Sequence, residues 1–182
     1  MSPAPRSDAR RSRDALLRSG AELLAARGTA VPMTEIAAHA GVGVGTLYRH
    51  FPDRAALVSA VYAREIERLG EIEPLLADAT GAAALEAWLA RFVAFGASKR
   101  ALGDVLVASG AGPKPSARGV VLEALDALLA AGARDGTLRE DVDGEDVLLA
   151  LAGLWSAVEA PDWRTRAERL ARLVLDGVRA GA

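Results

Sequence analysis

The chain has 182 residues, of which 51% are apolar and only 4% aromatic, and it contains no cysteine. The lack of cysteine excludes disulfides, thiolate metal sites and a thiol nucleophile, and no apolar run reaches the roughly eighteen residues that span a bilayer. The net charge of −2 conceals an asymmetry, since residues 1–56 carry eight arginines and five acids while the rest carries a net −5. We therefore expect a cytoplasmic protein without membrane contact whose basic N-terminal part meets a polyanion, although chance scatter would give the same asymmetry.

The first predicted elements are an arm and a helix. Residues 1–8 are rich in Pro, Ser and Ala and are predicted to be a flexible arm. An amphipathic helix follows, with Leu16 and Leu24 on its apolar side, and Gly28 ends it. Four arginines precede or open this helix and are predicted either to enter a minor groove or to form a solvated tail: Arg6, Arg10, Arg11 and Arg13.

Two short helices joined by a glycine turn come next. The first is predicted over residues 32–40, because proline suits the first turn of a helix. Gly41 then fits the left-handed conformation in which helices commonly end. The second is predicted over residues 44–51, with Leu47 and Phe51 buried. Such a pair is a helix-turn-helix, whose second helix enters the major groove of DNA.

The glycines at 41, 43 and 45 also suggest a loop that binds a nucleotide phosphate. A dinucleotide loop needs a third glycine where Thr46 stands, and it must follow a strand. The preceding segment is predicted to be a helix, so this hypothesis fails on both spacing and context.

The rest of the chain is also predicted to be helical. Asp53 is predicted to cap a longer helix that continues through Leu57 and Val61. No stretch alternates apolar and polar residues for long enough to form a strand, so the predicted fold class is all-α. Five further helices are predicted beyond Pro74, over residues 82–96, 99–108, 117–133, 145–159 and 164–179.

The segment MTEIAAHAGVGVGTLYRHFPDRAAL (33–57), preceded by LLRSGAELLAARG (16–28), resembles the DNA-binding region of the tetracycline-repressor-like (TetR family) transcriptional regulators. The resemblance covers about a third of the chain. It implies an N-terminal three-helix helix-turn-helix domain, over residues 9–56, and a helical ligand-binding and dimerisation domain, over residues 57–182. It also implies a homodimeric repressor that binds a palindromic operator in double-stranded DNA and is released by a small-molecule ligand.

The resemblance places several side chains of the second short helix at DNA. Thr46 falls at the base-reading face, and Tyr48 and His50 fall at the phosphate backbone. Val44 and Gly45 are small, which is predicted to let the helix approach the bases closely.

Three further residues are predicted to lie near DNA, and the contact predicted differs for each. Arg54 stands in the place of the family's phosphate-binding lysine, and Arg49 is predicted either to contact a base or to face solvent. The family often has a capping Ser or Thr where this chain has Pro32, so Thr34 is predicted to contact phosphate instead.

The last two helices are predicted to pair two copies of the chain, because both have wide apolar faces. Burial within one subunit is the alternative, and the family resemblance favours a four-helix dimer interface. The residues concerned are Val147, Leu148, Leu151, Leu154 and Trp155 on one helix and Leu170, Leu173, Val174 and Val178 on the other.

An aromatic stripe formed by Trp88, Phe92 and Phe95 lies at helical spacing in the middle of the chain. Most such stripes belong to a core, but aromatic residues between helices also line pockets for apolar ligands. Trp88, Phe92 and Trp155 are therefore the predicted ligand-binding residues.

No metal, cofactor or catalytic constellation is predicted. The acids within residues 139–146 lack the spacing of a calcium loop and suit a helix N-terminus capped by Asp143. Both histidines, His39 and His50, lie in the predicted DNA-binding module, which leaves no acid and base pair for an enzyme. The alternative function is a helical protein-interaction module without specific DNA binding.

Overall fold

The computed structural model describes residues 5–108, 115–156 and 162–181, and the fold of these residues is all-α, as predicted. An isolated antiparallel bridge joins Leu138 and Arg179, and a 3-10 turn covers Gly28–Ala30. The helices are α1 (Pro5–Arg27), α2 (Met33–His39), α3 (Val44–His50), α4 (Arg54–Gly70), α5 (Glu73–Leu76), α6 (Gly81–Ala108), α7 (Pro115–Arg134), α8 (Gly144–Ser156) and α9 (Trp163–Val178).

The chain divides into two compact units. The first comprises Met1–Glu65 and Ser98–Gly112, and the second comprises Ile66–Ala97 and Pro113–Ala182. None of the helices among the described residues is both long and apolar enough to cross a membrane.

The first unit is built on contacts among α1, α2 and α3. Its core contains Leu16, Leu24, Ile36 and Leu47, each at most 1% exposed. Burying an aliphatic side chain of this size contributes about 1.5–3 kcal/mol, so these residues fix how the three helices meet. The predicted three-helix arrangement with a helix-turn-helix is confirmed.

The turn between α2 and α3 depends on a glycine. Gly41 has φ +65°, the left-handed conformation predicted for it, and its amide bonds the carbonyl of Ala38 at 3.0 Å. The amide of Val42 bonds the carbonyl of Ala37 at 2.9 Å, which closes the end of α2. A side chain at residue 41 would strain this backbone, because left-handed φ is costly for other residues.

Aspartates cap two helices as predicted. Asp53 Oδ1 accepts the Ala56 amide at 2.8 Å at the start of α4, and Asp143 Oδ1 accepts the Asp146 amide at 2.8 Å at the start of α8. Each bond satisfies an amide that the helix itself leaves unpaired, and each contributes about 1 kcal/mol.

The second unit brings α6 and α7 together at two glycines. A Cβ on Gly81 would stand 2.2 Å from Gly132 Cα, so neither glycine tolerates a side chain here. Asp135 Oδ2 accepts the Gly81 amide at 2.7 Å, and Thr137 donates its hydroxyl to Oδ1 of the same carboxylate at 2.6 Å. The Thr137 and Gly81 hydrogen bonds hold the pKa of Asp135 below its ordinary value.

Two expectations about helix limits are wrong. The break predicted between residues 96 and 99 is absent, since α6 runs without interruption from Gly81 to Ala108. Gly96 and Ser98 are buried, and a single helical glycine costs only about 1 kcal/mol relative to alanine, so tertiary burial keeps the helix intact.

The helix α1 begins at Pro5, inside the segment predicted to be a flexible arm, while residues 1–4 lie outside the described part of the chain. Asp8 in the first turn faces the positive end of the helix, and an ion pair with Arg11 supports the same turn.

Candidate nucleic-acid interface

Helix α3 presents one side to the core and the other to solvent. Leu47 is fully buried and anchors the helix against α1 and α2. Val44 and Tyr48 are 40% and 46% exposed on this seven-residue helix. The solvent-facing side of α3 therefore offers apolar side chains that a binding partner could cover.

The start of α3 is open to close approach. A Cβ built on Gly45 would meet no atom within 4 Å, and the same is true of Gly43, which precedes the helix. Crowding within the described part of the protein therefore does not explain why these two positions are glycine. The space beside these two glycines is open to a binding partner.

Thr46 and Arg49 are linked on this surface. Arg49 Nη2 donates to Thr46 Oγ1 at 2.7 Å, and Arg49 Nε donates to the Gly45 carbonyl at 3.3 Å. Arg49 therefore lies along the first turn of α3, a contact that the sequence analysis did not predict.

Two aromatic rings and the guanidinium of Arg13 lie together at the end of α3. His50 is half-buried, with its ring centroid 6.2 Å from that of Phe51, which is 2% exposed. The guanidinium carbon of Arg13 lies 5.5 Å from the Phe51 centroid, a cation–π contact. This contact places Arg13 next to α3, whereas Arg10 is simply exposed and the side chain of Arg6 is outside the described residues.

Arg54 has a structural role that sequence reasoning missed. Its Nη1 donates to the carbonyls of Thr29 and Val31, at 2.5 and 2.7 Å. These bonds hold the connection between α1 and α2, so Arg54 fixes where α2 starts. Thr34 lies exposed in the first turn of α2, and Pro32 is the residue before that helix.

His39 joins α2 to α1. Its Nδ1 lies 3.0 Å from the Ser19 hydroxyl, which is 6% exposed, and its Nε2 lies 3.9 Å from a carboxylate oxygen of Glu22. An ion pair between Arg27 and Glu35 joins the same two helices. These contacts keep the helix-turn-helix in place, and they connect residues too far apart in the sequence for local patterns to reveal.

The aromatic stripe of the second unit lies in its core. Trp88 and Phe92 are 0% and 2% exposed and stack with their centroids 5.2 Å apart. Trp88 Nε1 donates to the Leu69 carbonyl at 2.8 Å. Phe95 continues the cluster, with its centroid 6.3 Å from that of Phe92, and the side chain of Trp155 lies outside the described residues.

A shallow groove of about 140 Å³ runs between α6 and α9 of the second unit. Drug-sized ligands occupy pockets of roughly 300–1,000 Å³, so this groove is small for such a ligand. It is lined by Glu86, Leu89, Ala90, Val93, Glu168, Ala171, Arg172 and Leu175.

Helices α8 and α9 contact each other, and each exposes apolar side chains. Leu149 and Leu173 are 61% and 66% exposed, and Leu149 is absent from the predicted pairing set. We call the α8/α9 face the surface formed by the exposed and half-buried residues Leu148, Leu149, Gly153, Leu170, Leu173, Val174 and Gly177.

Three predicted pairing residues do not belong to this face. Val147, Leu151 and Val178 are 3%, 0% and 7% exposed, so their assignment to a pairing surface is wrong and they belong to the core of one subunit. The side chains of Leu154 and Trp155 lie outside the described residues.

The acidic segment before α8 is occupied by local contacts. Arg139 binds Asp141 through two hydrogen bonds, Nε to Oδ1 at 2.9 Å and Nη2 to Oδ2 at 2.7 Å, which lower the pKa of Asp141. Across the ranges described, no three His, Cys, Asp or Glu side chains are grouped so that they could hold a metal ion.

Two family models match the chain. The model described as bacterial regulatory proteins, tetR family, matches residues 16–61, and the model described as transcriptional regulator SbtR-like, C-terminal domain, matches residues 80–180. The matches correspond to the segment that carries α2 and α3 and to the helices from α6 onward.

The fold is similar to those of solved regulators over nearly the whole chain. A TetR transcriptional regulator from Streptomyces coelicolor is 40% identical with a TM-score of 0.83, over 93% of this chain and 99% of that chain. The TetR transcription regulatory protein from Mycobacterium vanbaalenii is 37% identical with a TM-score of 0.77, over 97% of this chain and 100% of that one.

A local match extends the comparison to a curated protein. An HTH-type transcriptional regulator of Staphylococcus aureus is 45% identical over 49 residues. The matched segment spans about a quarter of each protein, 26% of this chain and 26% of that one.

Proposed function

The chain belongs to the TetR family of bacterial transcriptional regulators, and we propose that it is a homodimeric repressor that binds a palindromic operator through α3 and is released by a small molecule. Membership of this family makes it a DNA-binding regulator. The operator, the pairing surface, the release and a cytoplasmic location are the proposal.

The observation that carries the proposal is the outer surface of α3. Its first turn is open at Gly45, it exposes Val44 and Tyr48, and it holds a guanidinium over Thr46. A helix of this kind can lie in a major groove, where small residues allow close approach and valine methyls can contact thymine.

Phosphate contacts are proposed for the residues around this surface. Tyr48 exposes its ring on α3, His50 is half-buried at the end of that helix, and Thr34 is exposed in the first turn of α2. A phenol, an imidazole and a hydroxyl can each donate to a phosphate oxygen.

Arg54 is proposed to serve DNA binding in two ways. Its Nη1 holds the α1–α2 connection, and its Nε and Nη2 make no hydrogen bond to any residue in the described ranges. Those two nitrogens are proposed to face a phosphate, in the place of the family's lysine.

Pairing through the α8/α9 face is proposed because a palindrome needs two copies of α3. Half-sites lie one helical turn apart, about 34–36 Å, so a single subunit cannot read both. Leu149 and Leu173 offer an apolar surface, and Gly153 and Gly177 have no neighbour within 4 Å of a Cβ, which leaves room for a facing helix.

The small-molecule site is proposed for the second unit, at Trp88, Phe92 and Trp155. Both described rings are buried against each other, so a ligand would have to part them or displace their neighbours. Such a rearrangement would couple ligand entry to the helices that pair the subunits. Quenching of tryptophan fluorescence on ligand addition, weakened in Trp88→Phe, is the expected signal.

Binding to the duplex upstream of the protein's own coding region tests the DNA proposal. We expect the wild-type chain to bind a palindrome there more tightly than unrelated duplex of equal length. Tyr48→Ala and Arg54→Ala should each weaken binding, and Tyr48→Phe, which removes only the hydroxyl, separates a phosphate hydrogen bond from ring contact. Equal affinity for that region and for unrelated DNA would contradict the proposal.

A further inference from the structure

We propose that Arg49 reads a guanine in each operator half-site and that Thr46 is the positioning residue that holds the guanidinium for this contact. The inference rests on the proposed function, because it requires that α3 enters a major groove. It identifies one base pair of each half-site that the protein would recognise.

The geometry of the guanidinium carries the inference. Arginine has five N–H donors in one plane, and Arg49 uses the edge formed by Nε and Nη2 to bond the Gly45 carbonyl and the Thr46 hydroxyl. The edge formed by Nη1 and Nη2 makes no hydrogen bond to any residue that the structure describes. Arg49 is thus held by one edge and presents the other.

The free edge selects one base. In the major groove only guanine offers two adjacent acceptors, O6 and N7, that match two parallel N–H donors. Adenine offers one acceptor beside a donor, thymine a single acceptor and cytosine a donor, so each leaves at least one N–H of the free edge unpaired.

The surroundings leave space for that base. Gly45 has no side chain and would meet no atom within 4 Å if it had one, so a base edge can approach the helix next to the guanidinium. The Thr46 hydroxyl also holds the Arg49 side chain in one rotamer before DNA binds. The conformational entropy that Arg49 loses on binding is therefore smaller.

A phosphate oxygen pair would accept the same two N–H groups, and the experiment separates the two acceptors. The full-length wild-type chain is used to select duplexes from a random library. Each guanine of the enriched duplex is then replaced singly by 7-deazaguanine, which keeps base pairing and removes the N7 acceptor.

We expect one guanine in each half-site at which this replacement weakens wild-type binding by about 5-fold or more. Arg49→Ala should bind the natural and the substituted duplex equally, with unchanged thermal unfolding because the side chain is exposed. Thr46→Val should retain part of the discrimination, and Thr46→Ser should retain all of it.

Two results would overturn the inference. One is that Arg49→Ala keeps the wild-type loss of affinity at every guanine that is replaced by 7-deazaguanine. The other is a uniform loss of affinity for all duplexes in Arg49→Ala, with the slope of log affinity against log salt reduced by about one, which identifies a phosphate contact. Enrichment of no sequence at all would instead contradict the proposed operator binding.

Discussion

The outer side of α3 and the α8/α9 face are the two places where large apolar side chains are exposed among the described residues. The first exposes Val44 and Tyr48, and the second exposes Leu149 and Leu173. Both also contain helical glycines with open space around them. Exposure alone would therefore assign the two surfaces the same kind of partner.

Their chemistry differs. Around α3 the apolar groups alternate with a hydroxyl, a guanidinium and an imidazole, all of which can donate hydrogen bonds to the acceptors of a nucleic acid. The α8/α9 face offers leucine, valine and glycine, which provide close packing and no specific polar contact. The polar groups between the exposed hydrophobic side chains therefore decide the class of partner.

The largest expected effect comes from placing charge on the α8/α9 face. Leu173→Glu would bury an unpaired carboxylate in each half of the proposed interface, at about 3–5 kcal/mol each, so we expect a monomer that no longer binds a palindrome. Light scattering after size-exclusion chromatography measures this. Arg172→Glu, at an exposed position that lines the α6–α9 groove, is the control and should remain dimeric.

The two tyrosines of the chain separate recognition from folding. Tyr48 is 46% exposed and Tyr62 is 6% exposed. We expect Tyr62→Ala to lower the free energy of unfolding by about 3–5 kcal/mol through a core cavity, and Tyr48→Ala to leave it unchanged. Tyr48→Ala should instead weaken operator binding by about 1.5–3 kcal/mol, the contribution of a hydrogen bond to a charged group. Urea unfolding and fluorescence anisotropy with labelled operator give the two quantities, and a destabilised Tyr48→Ala would be inconsistent with this division.

Glycine replacements distinguish the two surfaces more finely. Gly45→Ala and Gly153→Ala each fit the free subunit and should raise helix stability by about 0.5–1 kcal/mol. We expect Gly45→Ala to weaken DNA binding and leave the dimer intact, and Gly153→Ala to weaken the dimer. The same phenotype from both variants would remove the distinction between the surfaces.

The smallest expected effect concerns acid. The lowered pKa of Asp135 means that its carboxylate stabilises the second unit fully above its unfolded pKa, near 4, and that this stability is lost as pH falls through the lower folded value. Asp135→Asn should therefore flatten the fall in stability below about pH 4. Urea unfolding at pH 6, 4 and 3 measures this, and an unchanged slope would show that the Gly81 and Thr137 bonds have no such effect.

The sequence predicted the helix-turn-helix well because its signals are local. A left-handed glycine at 41, a capping aspartate at 53 and a buried Leu47 at helical spacing each depend on neighbours within a few residues. The clamp formed by Arg54 was not predictable, since the carbonyls it binds belong to residues 25 and 23 positions earlier.

The second unit was less predictable because periodicity does not say which apolar face meets the protein's own core. Leu149 and Leu151 are alike in sequence terms, but one is 61% exposed and the other fully buried. Only the positions of neighbouring helices decide between them. The uninterrupted α6 has the same cause, since burial of Ser98 outweighs a weak local tendency to break.

Site-specific photo-crosslinking tests the central claim, that α3 meets DNA while the α8/α9 face meets a second copy. Tyr48 or Leu173 is replaced with p-benzoylphenylalanine, and the full-length protein is irradiated with operator duplex from the selection. We expect the probe at 48 to crosslink to DNA and the probe at 173 to crosslink to protein. Crosslinks to protein alone from position 48, or to DNA from position 173, would contradict the account.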